Sequence, residues 1–105
     1  LRVEQQYVDR LEAACDTYNE QLDALRSFVL PGGTVAASQL HVARTVVRRA
    51  ERSTWAALAE HDDMSLLTAT YLNRLSDLLF ILGRVANLPA HGGSGDVLWK
   101  PGGDR

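Results

Sequence analysis

Residues 34–57 read TVAASQLHVARTVVRRAERSTWAA, and the spacing inside this stretch decides the fold. Ala36, Leu40, Ala43, Val47, Ala50, Thr54 and Ala57 alternate by four and three. At about 100° per residue they fall on one stripe of an α-helix. Thr34 stands where an N-cap hydroxyl is wanted. The stripe is made mostly of small residues, so another helix can approach closely. A second row runs beside it: His41, Arg44, Arg48, Glu51 and Trp55. Arg44, Arg48 and Glu51 lie at the edge of the apolar stripe, next to Leu40 and Val47. Arg49 and Thr45 point away, and Arg52 lies in between. Partly buried guanidinium groups need partners. Glu51 is within reach of Arg48 at a spacing of three, but one carboxylate cannot satisfy three arginines. The unmatched charge asks for an anion or for a carboxylate from elsewhere, and arginine grips phosphate in bidentate fashion. Two other readings stand beside this one. Arginine-rich faces are often simply solvated. An RNA-binding basic helix is the other, disfavoured by the acidic net charge and the lack of exposed aromatics around the arginines.

Outward from this helix the same logic places two more. Val8, Leu11, Cys15, Tyr18, Leu22 and Leu25 predict a helix over about 3–25, with the weak formers Asp16, Thr17 and Asn19 near its end. Phe28, Val29 and Leu30 then meet Pro31, Gly32 and Gly33, which stop any helix. Phe28 is either a core staple or a ligand contact. Gly32-Gly33 before a helix is either a plain turn or a phosphate cradle without the lysine of a P-loop. After the loop His61-Asp62-Asp63, a third helix begins between Ser65 and Thr70 and runs to about Ala86. Leu72, Leu75, Leu79, Leu82 and Ala86 form its stripe, widened by Leu78 and Val85. Asn73, Asp77, Phe80 and Arg84 line the opposite face. Phe80 in that polar row calls for cover from a neighbouring subunit or a ligand, unless it is an incidental exposed ring. Residues 88–105 are rich in Pro, Gly and Ser and are expected to be a mobile tail, apart from the apolar island Val97, Leu98 and Trp99. The fold class is therefore all-α, an antiparallel helical bundle over residues 1–87. Three helices with a narrow core are only marginally stable alone, which points to missing partners.

The rest of the composition is restrictive mainly in what it removes. A chain of 105 residues with 46% hydrophobic and 23% charged residues holds at most one small domain. A net charge of -2 gives no reason to expect nucleic-acid or membrane binding, and no apolar run approaches the roughly 20 residues of a membrane span. Leu1 is not an initiator Met and no charged leader precedes the first helix, so the chain is expected to start inside a longer protein. Cys15 is the one cysteine, which excludes an internal disulfide and fits a reducing cytoplasm. It reads as a small core residue rather than a nucleophile. His41, His61 and His91 share no metal-ligand spacing, so no metal site is expected in this chain. The loop His61-Asp62-Asp63 reads as solvated.

Three stretches, in this order and at these separations, resemble the PduO-type ATP:corrinoid adenosyltransferases. They are Phe28-Val-Leu-Pro-Gly-Gly-Thr34, then Leu40-His-Val-Ala-Arg-Thr45 running through Arg48-Arg-Ala-Glu-Arg52, then Tyr71-Leu-Asn-Arg-Leu-Ser-Asp-Leu-Leu-Phe80. The resemblance extends from the first helix to about Val85, and the tail matches little. It implies a five-helix bundle assembled as a homotrimer, with the active site between subunits. It implies that the enzyme takes ATP with Mg²⁺ and transfers the adenosyl group to the cobalt of cobalamin, with a cobalamin-dependent enzyme as a possible acceptor. By the same resemblance Arg48, Arg49, Glu51, Arg52 and Asn73 bind ATP. Arg44 pairs across the interface with an aspartate of the N-terminal region. Phe28 packs beneath the corrin ring and excludes the lower axial ligand, and Phe80 lines the same pocket. Trp99 of the tail is the third candidate corrinoid contact. The family's N-terminal segment, with its Gly-Asp-Gly phosphate loop and its lysine, has no counterpart here, so the chain reads as part of a longer protein. The rival reading is a non-catalytic helical interaction module whose arginine seam is an ordinary inter-helix network.

Overall fold

The computed structural model describes residues 2–102. Three helices carry it: α1 (Gln5–Asn19), α2 (Val35–Glu60) and α3 (Leu66–Ala86). The last two start where hydroxyl caps stand. Thr34 Oγ1 accepts from the Ala37 amide at 3.1 Å, and Ser65 Oγ accepts from Leu67 at 3.1 Å. α1 stops at Asn19, short of the expected end near Leu25. The weak formers explain it: the Thr17 hydroxyl donates back to the Ala13 carbonyl at 3.0 Å, and Asn19 closes the last turn.

α3 is the central helix, packed on α2 along one side and on α1 along another. Thr34 meets the Ala86 carbonyl and Asn87, while Glu51 meets Asn73, so α2 runs antiparallel to α3. Cys15 lies at Arg74 and Asp23 at Arg84, so α1 runs parallel to it. The bundle is all-α and up-down-up, as the periodicity implies. Small residues set the α2–α3 distance. Ala37 and Ala69 are fully buried, and a Cβ on Gly83 would stand 3.1 Å from His41 Nε2. The apolar core among the described residues is thin, with Val8, Ala37, Ala69 and Val85 as its buried members. The leucine stripe of α3 stays half-buried. No described helix is long and apolar enough to cross a membrane.

The segment after α3 is not the loose tail expected from its composition. Asn87, 1% exposed, accepts from the Thr34 amide at 2.8 Å through Oδ1 and donates to the Gly32 carbonyl at 2.9 Å through Nδ2. A 3-10 turn (Pro89–His91) closed by Gly92 follows. The chain then lies antiparallel against the α1–α2 linker, with Val29 opposite Leu98. Leu30 donates to the Val97 carbonyl at 2.7 Å and Trp99 to the Phe28 carbonyl at 2.9 Å. Gly33 makes the turn possible: its φ is +103°, and a Cβ there would sit 2.2 Å from Asn87 Oδ1.

Candidate functional site

The α2 row faces the polar row of α3, and the two together build a seam. The Arg44 guanidinium lies 4.9 Å from the centre of the Phe80 ring, a cation–π contact, and the His41 ring meets the same ring edge-on at 6.4 Å. On this side the Phe80 ring is covered by α2 of its own chain, and the ring stays only half-buried. Burial, and then the charge of Arg48, lowers the Arg44 pKa, with Asp77 opposing. Arg44 remains a cation at neutral pH.

Glu51 does not pair with Arg48, contrary to the spacing argument. Its Oε2 accepts from Trp55 Nε1 at 3.0 Å and from Asn73 Nδ2 at 3.3 Å. Asn73 Oδ1 in turn accepts from Arg74 Nε at 3.2 Å, and Arg74 is bridged to Asp77 at 2.7 Å. The ion pairs among the described residues are Arg74–Asp77 and Arg84–Asp96. Arg44, Arg48, Arg49 and Arg52 therefore have no carboxylate partner there. Arg48, Arg49 and Arg52 are exposed. From Arg44 to Arg52 the four cations span about 12 Å of helix axis, a ladder suited to a polyanion.

A second group forms at the other end of α2. Phe28 is 77% exposed, so it is no core staple. Its ring meets Trp99 in a T-shaped contact at 6.1 Å, and Trp99 is itself 46% exposed. Two aromatics held on paired backbone and offered to solvent make an apolar platform. Thr34, at that end, stands about 21 Å along the axis from Arg48. The structure thus joins Arg44 with Phe80, Glu51 with Asn73, and Phe28 with Trp99. Among the described residues it does not put the Phe28–Trp99 pair in ring contact with Phe80.

Some groups were not legible as functional from spacing. Arg84 is 7% exposed and bonded to Asp96, and Asn87 is the hub of the turn before α2. Neither has a partner close in sequence, which is the signal that would have been needed. Cys15 donates to the Arg74 carbonyl, and burial, followed by the charge of Asp77, raises its pKa. Both effects favour the thiol over the thiolate. No three of His, Cys, Asp and Glu gather as a metal site among the described residues.

The chain as a whole is similar to several known proteins. The cobalamin adenosyltransferase family model matches residues 1–86. The corrinoid adenosyltransferase of Mycobacterium tuberculosis is 65% identical over 106 residues, covering 100% of this chain and 52% of the relative. That of Bacillus subtilis is 43% identical over 99 residues, covering 94% and 50%. A solved variant of the PduO-type ATP:corrinoid adenosyltransferase from Lactobacillus reuteri, complexed with cobalamin and ATP, superposes with a TM-score of 0.85. It is 36% identical, over 95% of this chain and 52% of that one. The chain spans about half the length of the curated relatives it matches. On the family match and on identity that runs the length of the sequence, the chain belongs to the cobalamin adenosyltransferase family.

Proposed function

We propose that this protein transfers the adenosyl group of ATP to the cobalt of reduced cobalamin, giving adenosylcobalamin and triphosphate. The observation that carries this reading is the ladder of arginines on α2, which form no ion pair among the described residues and of which Arg44 lies over the Phe80 ring. The Lactobacillus reuteri structure, complexed with cobalamin and ATP, supports it. Reduced cobalt is the nucleophile. It donates its electron pair to the ribose methylene carbon of ATP, the carbon–oxygen bond breaks, and triphosphate leaves with the bonding pair. No general base is required, so a site without a catalytic dyad is sufficient. The protein supplies position and charge. Arg48, Arg49 and Arg52 hold the triphosphate, while Glu51 and Asn73, bonded to each other, orient the nucleotide. Arg44, fixed on Phe80, pairs with an aspartate across a subunit interface. Phe28, Phe80 and Trp99 provide the apolar surface for the corrinoid, with Phe28 displacing the lower axial ligand so that cobalt is reduced more readily.

Mg²⁺ is assigned to the triphosphate, whose oxygens together with water suit its octahedral coordination. A homotrimer with the site between subunits fits the exposed Val35, Val42 and Val46 on α2. A cytoplasmic setting fits the lone Cys15. The cobalt–carbon product suits delivery to a cobalamin-dependent acceptor enzyme. The alternative of a non-catalytic interaction module gains nothing from the relatives, which are named as transferases. The test is Arg48→Ala in the whole protein. Arg48 is exposed, so the fold should persist, while ATP affinity by calorimetry should fall by about thirtyfold or more, with adenosylcobalamin formation lost. Unchanged ATP affinity in a well-folded variant would overturn the assignment.

A further inference from the structure

Arg84 is a buried cation that the reaction does not use. Its Nε donates to Asp96 Oδ2 at 2.9 Å, and its Nη2 donates to the Asp23 carbonyl at 2.8 Å. One guanidinium on α3 thereby ties down two segments. Asp23 belongs to the linker that carries Phe28, and Asp96 immediately precedes Val97–Trp99. The other carboxylate oxygen of Asp96 is buried without a partner, so Arg84 is what holds this side chain. The pair is well shielded, with side-chain exposures of 8% and 16%. Buried ion pairs contribute less to net stability than to register, because any displaced arrangement strands a charge. The pairing itself is held by the backbone bonds between 28–30 and 97–99 and by the Ser27 hydroxyl on the Trp99 carbonyl. On the approach, the Gly92, Gly93 and Gly95 amides donate to the Pro89, Leu88 and Asn87 carbonyls. The Arg84–Asp96 pair is the side-chain contact that fixes where the segment enters the pairing.

We infer that Arg84 is a positioning residue for the corrinoid face: through Asp96 and Asp23 it sets the register of residues 97–99 against 28–30 and so aims Phe28 and Trp99. This rests on the corrinoid reading proposed above. A shift by one residue would turn the Trp99 ring to the other face of the paired segments. Phe28, which has no other ring contact among the described residues, would lose its neighbour.

The experiment uses the whole protein with Asp96→Asn and, separately, with Arg84→Met combined with Asp96→Asn, which removes both charges at nearly constant volume. Three readouts are compared: amide exchange at Leu30 and Trp99, cobalamin affinity and ATP affinity. Exchange at both amides should accelerate about tenfold or more and cobalamin binding should weaken roughly tenfold, while ATP affinity stays within about twofold. Phe28→Ala serves as the reference for cobalamin binding. Unchanged exchange at Leu30 and Trp99 would overturn the clasp. Faster exchange with intact cobalamin binding, when Phe28→Ala does weaken it, would overturn the positioning role. If Phe28→Ala leaves both the cobalamin affinity and the spectrum of the bound cobalamin unchanged, the corrinoid reading fails, and the aim assigned to Arg84 fails with it.

Discussion

A phenylalanine held three-quarters in water by a hydrogen-bonded backbone contributes little to folding, so its presence must be explained by what meets it. Phe28→Ala should cost under about 1 kcal/mol of stability, as for an exposed side chain, against the roughly 3–5 kcal/mol of a buried ring. Cobalamin bound with ATP should then lose the optical signature of four-coordinate cobalt. A large fall in melting temperature with an unaltered spectrum would mean the ring is structural. His41 is the opposite case, 5% exposed with Nε2 unpartnered. Burial first, then the charge of Arg44, pushes its pKa below the ordinary 6.5, and Asp96 pulls weakly the other way. The unfolded chain therefore takes up this proton at a higher pH than the folded one does. Stability from this group is complete above pH 6.5 and is lost as the pH falls toward the folded value. Melting temperature should drop between neutral pH and mild acid, with a smaller slope in His41→Leu. Coincident slopes would acquit His41.

Among the elements, the turn joining α3 to α2 depends on one amide side chain. Asn87→Ala strands the Thr34 amide and the Gly32 carbonyl together, at a cost of about 2–4 kcal/mol for two buried unpaired groups. Chemical denaturation should show it as a lower midpoint with an unchanged slope. A loss below about 0.5 kcal/mol would mean that water replaces the amide. This turn also marks the boundary of what the sequence made legible. α2 and α3 could be read because three-and-four alternation and hydroxyl caps are local signals, repeated over many residues. The same periodicity put Arg44 and Glu51 in one row of α2 and Asn73 and Phe80 in one row of α3, but did not show that the two rows face each other. It left their partners open as well. Glu51 turns to Trp55 one turn along its own helix and to Asn73 of α3 instead of Arg48. The tail was illegible for a related reason: Gly and Pro mark the absence of helix but carry no trace of Asp96 finding Arg84.

For the molecule as a whole, the exposed valines of α2 and the half-covered leucines of α3 leave an incomplete core. Sedimentation of the whole protein at micromolar concentration should give a trimer, and a monomer alone would exclude the inter-subunit site. Residues 97–99, a strap paired against residues 28–30, add a matter of timing. Ser27 Oγ donates to the Trp99 carbonyl across 72 residues of chain, whereas each helix closes its bonds within a turn. Contacts so far apart must wait until the intervening chain has been collected, since the entropy of closing a loop is lost before the bond repays it. The helices are thus expected to form early, with the strap arriving as the slow final step. On the function proposed above, a freshly synthesised molecule would be able to hold a nucleotide before it has finished the surface meant for the metal-bearing ring.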